Sequence, residues 1–259
     1  MGRKMKFDII IQAGQSNSEG CGVGPVEKEY VPTDKVWLLD APKRVTALPD
    51  RMDIVYFDEP PVLKIADEVD GDNGKIGNFG LTFAEEYIKA GFLQEGRAVL
   101  IIRAGIGGTG FWRKEWGLGS LLYNKLVELV DYALSLDEDN KVVALLWHQG
   151  EHDAVSCNPP EKFGASLKDQ MLDTRARYGN MPIVAADFVN DWKSKNLALC
   201  EPIINTIKKV LADCGRGAFV ETADLLSNDQ KTGNGDDIHF CRQSQHILGR
   251  RYFDAFKNL

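Results

Sequence analysis

The chain has 259 residues, 44% of them hydrophobic and 27% charged, with a formal net charge of −7. This length fits one large domain or two small ones, with enough apolar side chains for a true core. The negative charge disfavours nucleic acid or an acidic membrane surface as a partner, because their phosphates would be repelled.

In chain order, Phe7–Ala13 is predicted as a buried strand. Residues 18 to 78 follow as a long irregular insertion, punctuated by Gly20, Gly22, Gly24, Pro25, Pro32, Pro42, Pro49, Pro60 and Pro61. Only Val36–Asp40 and Ile54–Phe57 look strand-like within it, and loops this long are usually functional. Leu81 to Leu93 has helical periodicity. Arg97–Ala104 is a second buried strand, ending in a glycine-rich turn. Leu121 to Leu136 is a helix, and Lys141–Trp147 a third strand. Lys162 to Tyr178 is a helix, Pro182–Phe188 a fourth strand, Leu197 to Ala212 a helix, Gly217–Glu221 a short fifth strand, and Cys241 to Phe256 a closing helix. Strands that are continuous apolar runs and alternate with helices indicate a mostly parallel five-stranded sheet covered on both faces. With no linker and no repeat, one domain over residues 1–259 is expected.

Cys21, Cys157, Cys200, Cys214 and Cys241 are odd in number and irregular in spacing. This argues against a disulfide framework and for free thiols in a reducing compartment. The segment Phe7 to Ala13 is too short for the apolar core of a secretion signal, and no apolar run approaches a membrane span. A cytoplasmic location is expected.

Four segments carry chemistry: Gly14-Gln15-Ser16-Asn17, Gly105-Ile-Gly107-Gly108-Thr109, Trp147-His148-Gln149-Gly150-Glu151-His152-Asp153, and Asp236-Asp237-Ile238-His239. Ser16 lies just past an apolar strand, where a parallel sheet presents its carboxyl edge and open α/β folds bind ligands. Asp236, three residues before His239, can place a carboxylate beside the imidazole, and the pair can accept a serine proton during acyl transfer. Asp237 competes for the acid role, and Asp236 is preferred. Oxyanion donors would come from the backbone N–H groups of Ser16 and of Gly107 or Gly108, with the Gln149 amide as a third.

These four segments, in this order, resemble the conserved blocks of the SGNH (GDSL-like) hydrolase superfamily. Within it they are most similar to the sialate O-acetylesterase-like branch, which includes the family six acetylxylan esterases. The matching residues are Gly14–Asn17, Gly107–Thr109, Gln149–Asp153 and Asp236–His239. The wider superfamily carries Asn where this chain has Gln149. The resemblance implies a three-layer α/β/α sandwich, flavodoxin-like in topology, and a serine esterase that removes acetyl groups from a carbohydrate, xylan-derived, sialic acid or other. It implies a Ser16, His239, Asp236 triad with no metal or organic cofactor. Gln15, Asn17, Glu151 and Trp112 are expected to bind substrate or brace the site. The expected partner is a small-molecule or oligosaccharide acetyl ester, and a homo-oligomer is compatible with the sequence.

Two rival motifs also match by letter. Gly105-Ile-Gly107-Gly108-Thr109-Gly110 reads as a dinucleotide fingerprint, but the residues after it, Phe111 to Gly117, do not open an apolar-periodic helix. His148-Gln-Gly-Glu151-His152 reads as an inverted zinc-hydrolase motif, which needs both histidines one turn apart on a helix. A third alternative is a catalytically silent carbohydrate-binding module on the same fold.

Overall fold

The computed structural model of the chain describes residues 5–72 and 74–259. Its central sheet is built from the apolar runs that the sequence singles out. These are β1 (Lys6–Gly14), β2 (Val36–Asp40), β5 (Val62–Ile65), β8 (Arg97–Arg103), β9 (Lys141–His148), β10 (Ile183–Ala186) and β11 (Gly217–Val220). Between them lie the hairpin β3 (Lys43–Ala47) and β4 (Met52–Tyr56), and the ribbon β6 (Val69–Gly71) and β7 (Gly74–Ile76). The long helices are α2 (Phe79–Lys89), α3 (Leu121–Ser135), α5 (Pro160–Tyr178), α7 (Leu197–Cys214) and α9 (Arg242–Phe256). Four short helices, α1 (Ser16–Glu19), α4 (Glu151–Val155), α6 (Asn190–Lys195) and α8 (Asn228–Thr232), have no sequence-level forecast.

The sheet order is β11-β10-β9-β1-β8-β2-β5, parallel throughout except for β5, which runs antiparallel on β2. Alternate residues of each strand point to opposite faces. Ile9, Ile11, Leu100 and Ile102 therefore enter one core, with Leu122 and Leu126 of α3, Phe163 of α5 and Ile203 of α7. Ile10, Val99 and Ile101 enter the other, with Phe79 and Phe83 of α2 and Leu248 and Tyr252 of α9. A strand apolar on both faces needs helices on both, which gives the expected α/β/α layering.

Two expectations are corrected. The sheet has seven strands among the described residues, not five, because β2 and β5 extend it. The segment from 18 to 78 is also not irregular, since it contains all of β2 to β7. Its strands are only three to five residues long, too short to show a period between so many glycines and prolines. A buried ionic knot ties this segment to α9. Glu68 accepts from His246 Nε2 at 2.7 Å and from Arg242 Nε at 3.1 Å, and Arg242 also reaches Glu29. Beside the knot, a Cβ on Gly22 would lie 2.9 Å from the Arg242 backbone. No helix among the described residues is long and apolar enough to cross a membrane.

On the second face, α9 packs against α2 at Gly249. A Cβ there would lie 2.0 Å from Thr82 Oγ1 and 2.2 Å from the Phe79 carbonyl oxygen on α2. Backbone cannot yield as a flexible side chain can, so Gly249→Ala must push the helices apart. A loss of about 2–3 kcal/mol of unfolding free energy is expected, as for other overpacked cores; urea denaturation measures it, and an unchanged midpoint would refute the packing argument.

Candidate active site

The strands β9, β1 and β8 are neighbours, and their carboxyl ends deliver three of the four chemical segments to one edge of the sheet. β1 ends at Gly14, whose φ of 135° and contact with β9 exclude a side chain: a Cβ would sit 2.0 Å from the His148 carbonyl oxygen. The chain then turns at once into α1, with Ser16 as its first residue. Ser16 is buried but for 7% of its surface, and its hydroxyl has no hydrogen-bond partner among the described residues. Gln15 braces this turn. Its amide donates to the His148 carbonyl at 2.9 Å, and its Oε1 accepts from the amides of Gly150 and His152 at 3.4 and 3.2 Å.

The fourth segment arrives from the loop between α8 and α9. His239 Nδ1 lies 2.9 Å from both carboxylate oxygens of Asp236, and the His239 amide donates to Asp236 Oδ1 at 3.3 Å. Asp236 Oδ2 also accepts from Asn228 Nδ2 at 2.8 Å. Burial opposes the charge on Asp236, but the bonds from His239 and Asn228 outweigh it and hold the carboxyl below its ordinary pKa. Asp237 instead pairs with Lys195 at 2.7 Å and makes no bond to the imidazole. Asn228 escaped the sequence reading, because nothing distinguishes an Asn after a Ser from an ordinary helix start. Its backbone amide donates to the His239 carbonyl at 2.9 Å, so it fixes the loop as well as the acid.

Asn17, the residue after Ser16, ties this turn to the segment that carries His239. Its Oδ1 accepts from the Phe240 amide at 3.1 Å, and its Nδ2 donates to the Ile238 carbonyl at 3.1 Å and to Glu151 Oε1 at 3.0 Å. The two neighbours of His239 are thus fastened to the neighbour of Ser16. No hydrogen bond joins Ser16 to His239 themselves.

Behind Asn17 lies a buried polar chain. Tyr252 OH donates to the Trp147 carbonyl at 2.8 Å, so it can only accept from His148 Nδ1, 3.2 Å away. His148 Nε2 then faces Glu151 Oε1 at 3.6 Å. Burial favours the neutral acid at Glu151, but His148 and Asn17 prevail and its pKa lies below the ordinary value.

The glycine turn is held by Asp153, whose carboxylate accepts from the amides of Phe111 at 3.0 Å and Trp112 at 2.8 Å, from Gln149 Nε2 at 2.5 Å and from Asn158 Nδ2 at 2.6 Å. Gln149 is therefore engaged with Asp153, and with the Thr109 carbonyl at 3.5 Å, in this state. The Gly107 amide donates to Glu19 Oε2 at 2.8 Å. Among the described residues, no partner occupies the amides of Ser16 and Gly108. Trp112 is 49% exposed, whereas Phe111 and Trp116 belong to the core.

Neither rival motif finds its geometry. Residues 105 to 120 are turns, and no helix opens on the Gly105–Gly110 glycines. His148 ends β9, while His152 lies on the five-residue helix α4 beyond Gly150, which has a φ of 146°. The two imidazoles do not share a helix face, and no group of three or more metal-ligating side chains clusters among the described residues.

A family model described as carbohydrate esterase, sialic acid-specific acetylesterase, matches residues 6–258. A probable carbohydrate esterase of Arabidopsis thaliana is 28% identical over 179 residues, which is 67% of this chain and 65% of that protein. The match thus spans just under two thirds of that relative. Among solved structures, NanS superposes with a TM-score of 0.76 at 18% identity, covering 100% of this chain and 98% of that one. A family two carbohydrate esterase from Clostridium thermocellum, in complex with cellohexaose, superposes at 0.54 with 14% identity, covering 99% of this chain and 65% of that one. These likenesses show that the chain shares the fold of both structures.

The lowered pKa of Glu151 makes a prediction. A group whose folded pKa lies below its unfolded value, about 4.3 for Glu, stabilises the fold above that value. The stability is lost as pH falls through the folded pKa. Glu151→Gln should be less stable than the parent at pH 7, with the gap narrowing below about pH 4. Denaturant unfolding at both pH values measures this, and a gap independent of pH would contradict it.

Proposed function

The chain belongs to the sialic acid-specific acetylesterase family of carbohydrate esterases, and from that premise we propose that it is a serine esterase removing O-acetyl groups from a carbohydrate. The observation that carries the reading is the His239–Asp236 pair, whose flanking residues Ile238 and Phe240 are clamped to Asn17, the residue beside Ser16. Asp236 engages Nδ1 of the imidazole, which leaves Nε2 as the nitrogen that can act as base.

Ser16 Oγ attacks the acetyl carbonyl while His239 Nε2 takes its proton. The carbonyl oxygen becomes an oxyanion, met by the free amides of Ser16 and Gly108. The Gly107 amide and the Gln149 side chain join only if they leave Glu19 and Asp153. As the tetrahedral intermediate collapses, the C–O bond to the sugar breaks and the imidazolium returns its proton to the departing hydroxyl. Water then attacks acetyl-Ser16 with His239 again as base, releasing acetate and restoring the serine. Asp236, held ionised, keeps the imidazole in the required tautomer and stabilises the imidazolium. Trp112, exposed at the turn, offers a face on which a sugar ring could stack.

The experiment is hydrolysis of p-nitrophenyl acetate by the parent and three folded variants. Ser16→Ala should lose at least about a thousandfold in kcat. Asp236→Asn should lose on the order of 100- to 10,000-fold. Asp237→Asn, which only breaks a surface pair with Lys195, should stay within about threefold of the parent. Substantial turnover by Ser16→Ala would remove the nucleophile assignment. A larger loss at Asp237 than at Asp236 would remove the triad as drawn.

A further inference from the structure

The hairpin of β3 and β4 stands off the central sheet, and one face of β4 anchors it. Side chains alternate along a strand, so Met52, Ile54 and Tyr56 share a face while Asp53 and Val55 take the other. Ile54 and Tyr56 are partly buried against the core that α3 covers, and the Lys125 ammonium lies 5.1 Å from the centre of the Tyr56 ring. Asp53 instead pairs with Arg44 at 3.4 Å, and Val55 is exposed. The Phe57 amide donates to the Pro42 carbonyl at 2.9 Å and closes the base of the hairpin.

Met52 continues that inner face to the glycine turn after β8. A Cβ on Gly108 would lie 3.2 Å from Met52 Sδ and 3.5 Å from its Cγ, so the thioether rests directly on Gly108. The neighbouring Gly107 borders the serine, since a Cβ there would lie 3.5 Å from Ser16 Cβ. Unlike Ile54 and Tyr56, Met52 is not packed into the core. Its side chain is spent on the turn that carries a proposed oxyanion donor.

In the proposed reaction the acyl carbon is bonded to Ser16 Oγ, and its oxygen meets the Gly108 amide. The leaving oxygen must face His239 Nε2, which returns the proton to it. The remaining substituent, the acyl methyl group, therefore points away from His239. The His239 segment is clamped to Asn17, which also bonds Glu151 on the β9 side of Ser16. The Gly107–Gly108 turn and Met52 stand on the β8 side. Resting on the esterase reading, we infer that Met52 is a specificity-determining residue whose side chain closes the acyl side of the site, so that an acetyl group fits and longer acyl chains meet the thioether. A chain that collides there pushes the carbonyl oxygen off the Gly108 amide, so the cost falls on the transition state. One misfitting methylene is worth about 10- to 200-fold in discrimination.

Two esters with the same leaving group, p-nitrophenyl acetate and p-nitrophenyl butyrate, test this in the parent, Met52→Ala and Met52→Leu. The parent should favour the acetate by at least about tenfold in kcat/KM. Met52→Ala removes Cγ, Sδ and Cε, so the acetate-to-butyrate ratio should fall by about tenfold, chiefly through faster butyrate turnover. Met52→Leu keeps the volume and should keep the ratio. A purely structural role, in which Met52 only supports Gly108, would slow both esters alike in Met52→Ala and leave their ratio unchanged. That result, or equal kcat/KM for the two esters in the parent, overturns the inference. Should Met52→Ala fail to fold, Met52→Val, which is shorter than Met but well suited to a strand, takes its place with the same expected fall in ratio. Absence of turnover with either ester would remove the esterase reading itself and this inference with it, whereas equal turnover of both would sink only the role of Met52.

Discussion

The side-chain amide of Asn17 holds together two parts of the chain that are more than two hundred residues apart. One of its ends takes the Phe240 amide and the other gives to the Ile238 carbonyl, so the backbone on both sides of His239 is fixed relative to α1. The same nitrogen gives to Glu151, which joins β9 and α4 to the clamp. Strand ends, the Ser16 turn and the His239 loop therefore share one buried polar centre. An amide suits this place because it can give and accept at once without carrying charge. A carboxylate there could not donate to the Ile238 carbonyl or to Glu151, and an ammonium could not accept from Phe240.

The clamp also explains where charge is tolerated. Glu151 is fully buried, yet it stays ionised because Asn17 and His148 address it from two sides. Asp153 is equally buried and spends its oxygens on four donors from the glycine turn, Gln149 and Asn158. Such carboxylates act as rigid struts: removing one would leave several donors unpaired in a dry interior. Asp236 differs from them. It is partly exposed and bonded to the imidazole of His239. The buried acids thus fix geometry, and the acid at the edge is the one we propose for chemistry.

The sequence was most legible where physics is local. Apolar runs such as Phe7–Ala13 and Lys141–Trp147 announced buried strands, and helical spacing placed α3 and α7 to within about two residues. The Asp236–His239 pairing was readable because both partners lie in one short segment. The short strands β3 to β7 were mostly hidden, because they are only three to five residues long and largely exposed, so no buried face shows in their sequence. Asn228, Glu19 and the bracing work of Asp153 were hidden for another reason. Each acts on a group 8 to 88 residues away, and no spacing rule connects them. Gln149 shows the limit of a motif: the letter is in its expected place, but its amide is engaged by Asp153.

In the mechanism we propose, Ser16 is a nucleophile activated by a base delivered from the far end of the chain. Reaction with a fluorophosphonate probe, followed by mass spectrometry of the digested protein, tests it most directly, since such probes modify serines that a neighbouring base activates. The account predicts stoichiometric labelling confined to the peptide carrying Ser16, and its loss when His239 is replaced by Gln. Labelling elsewhere, or none in the folded parent protein, would contradict it and favour a silent binding module on the same fold.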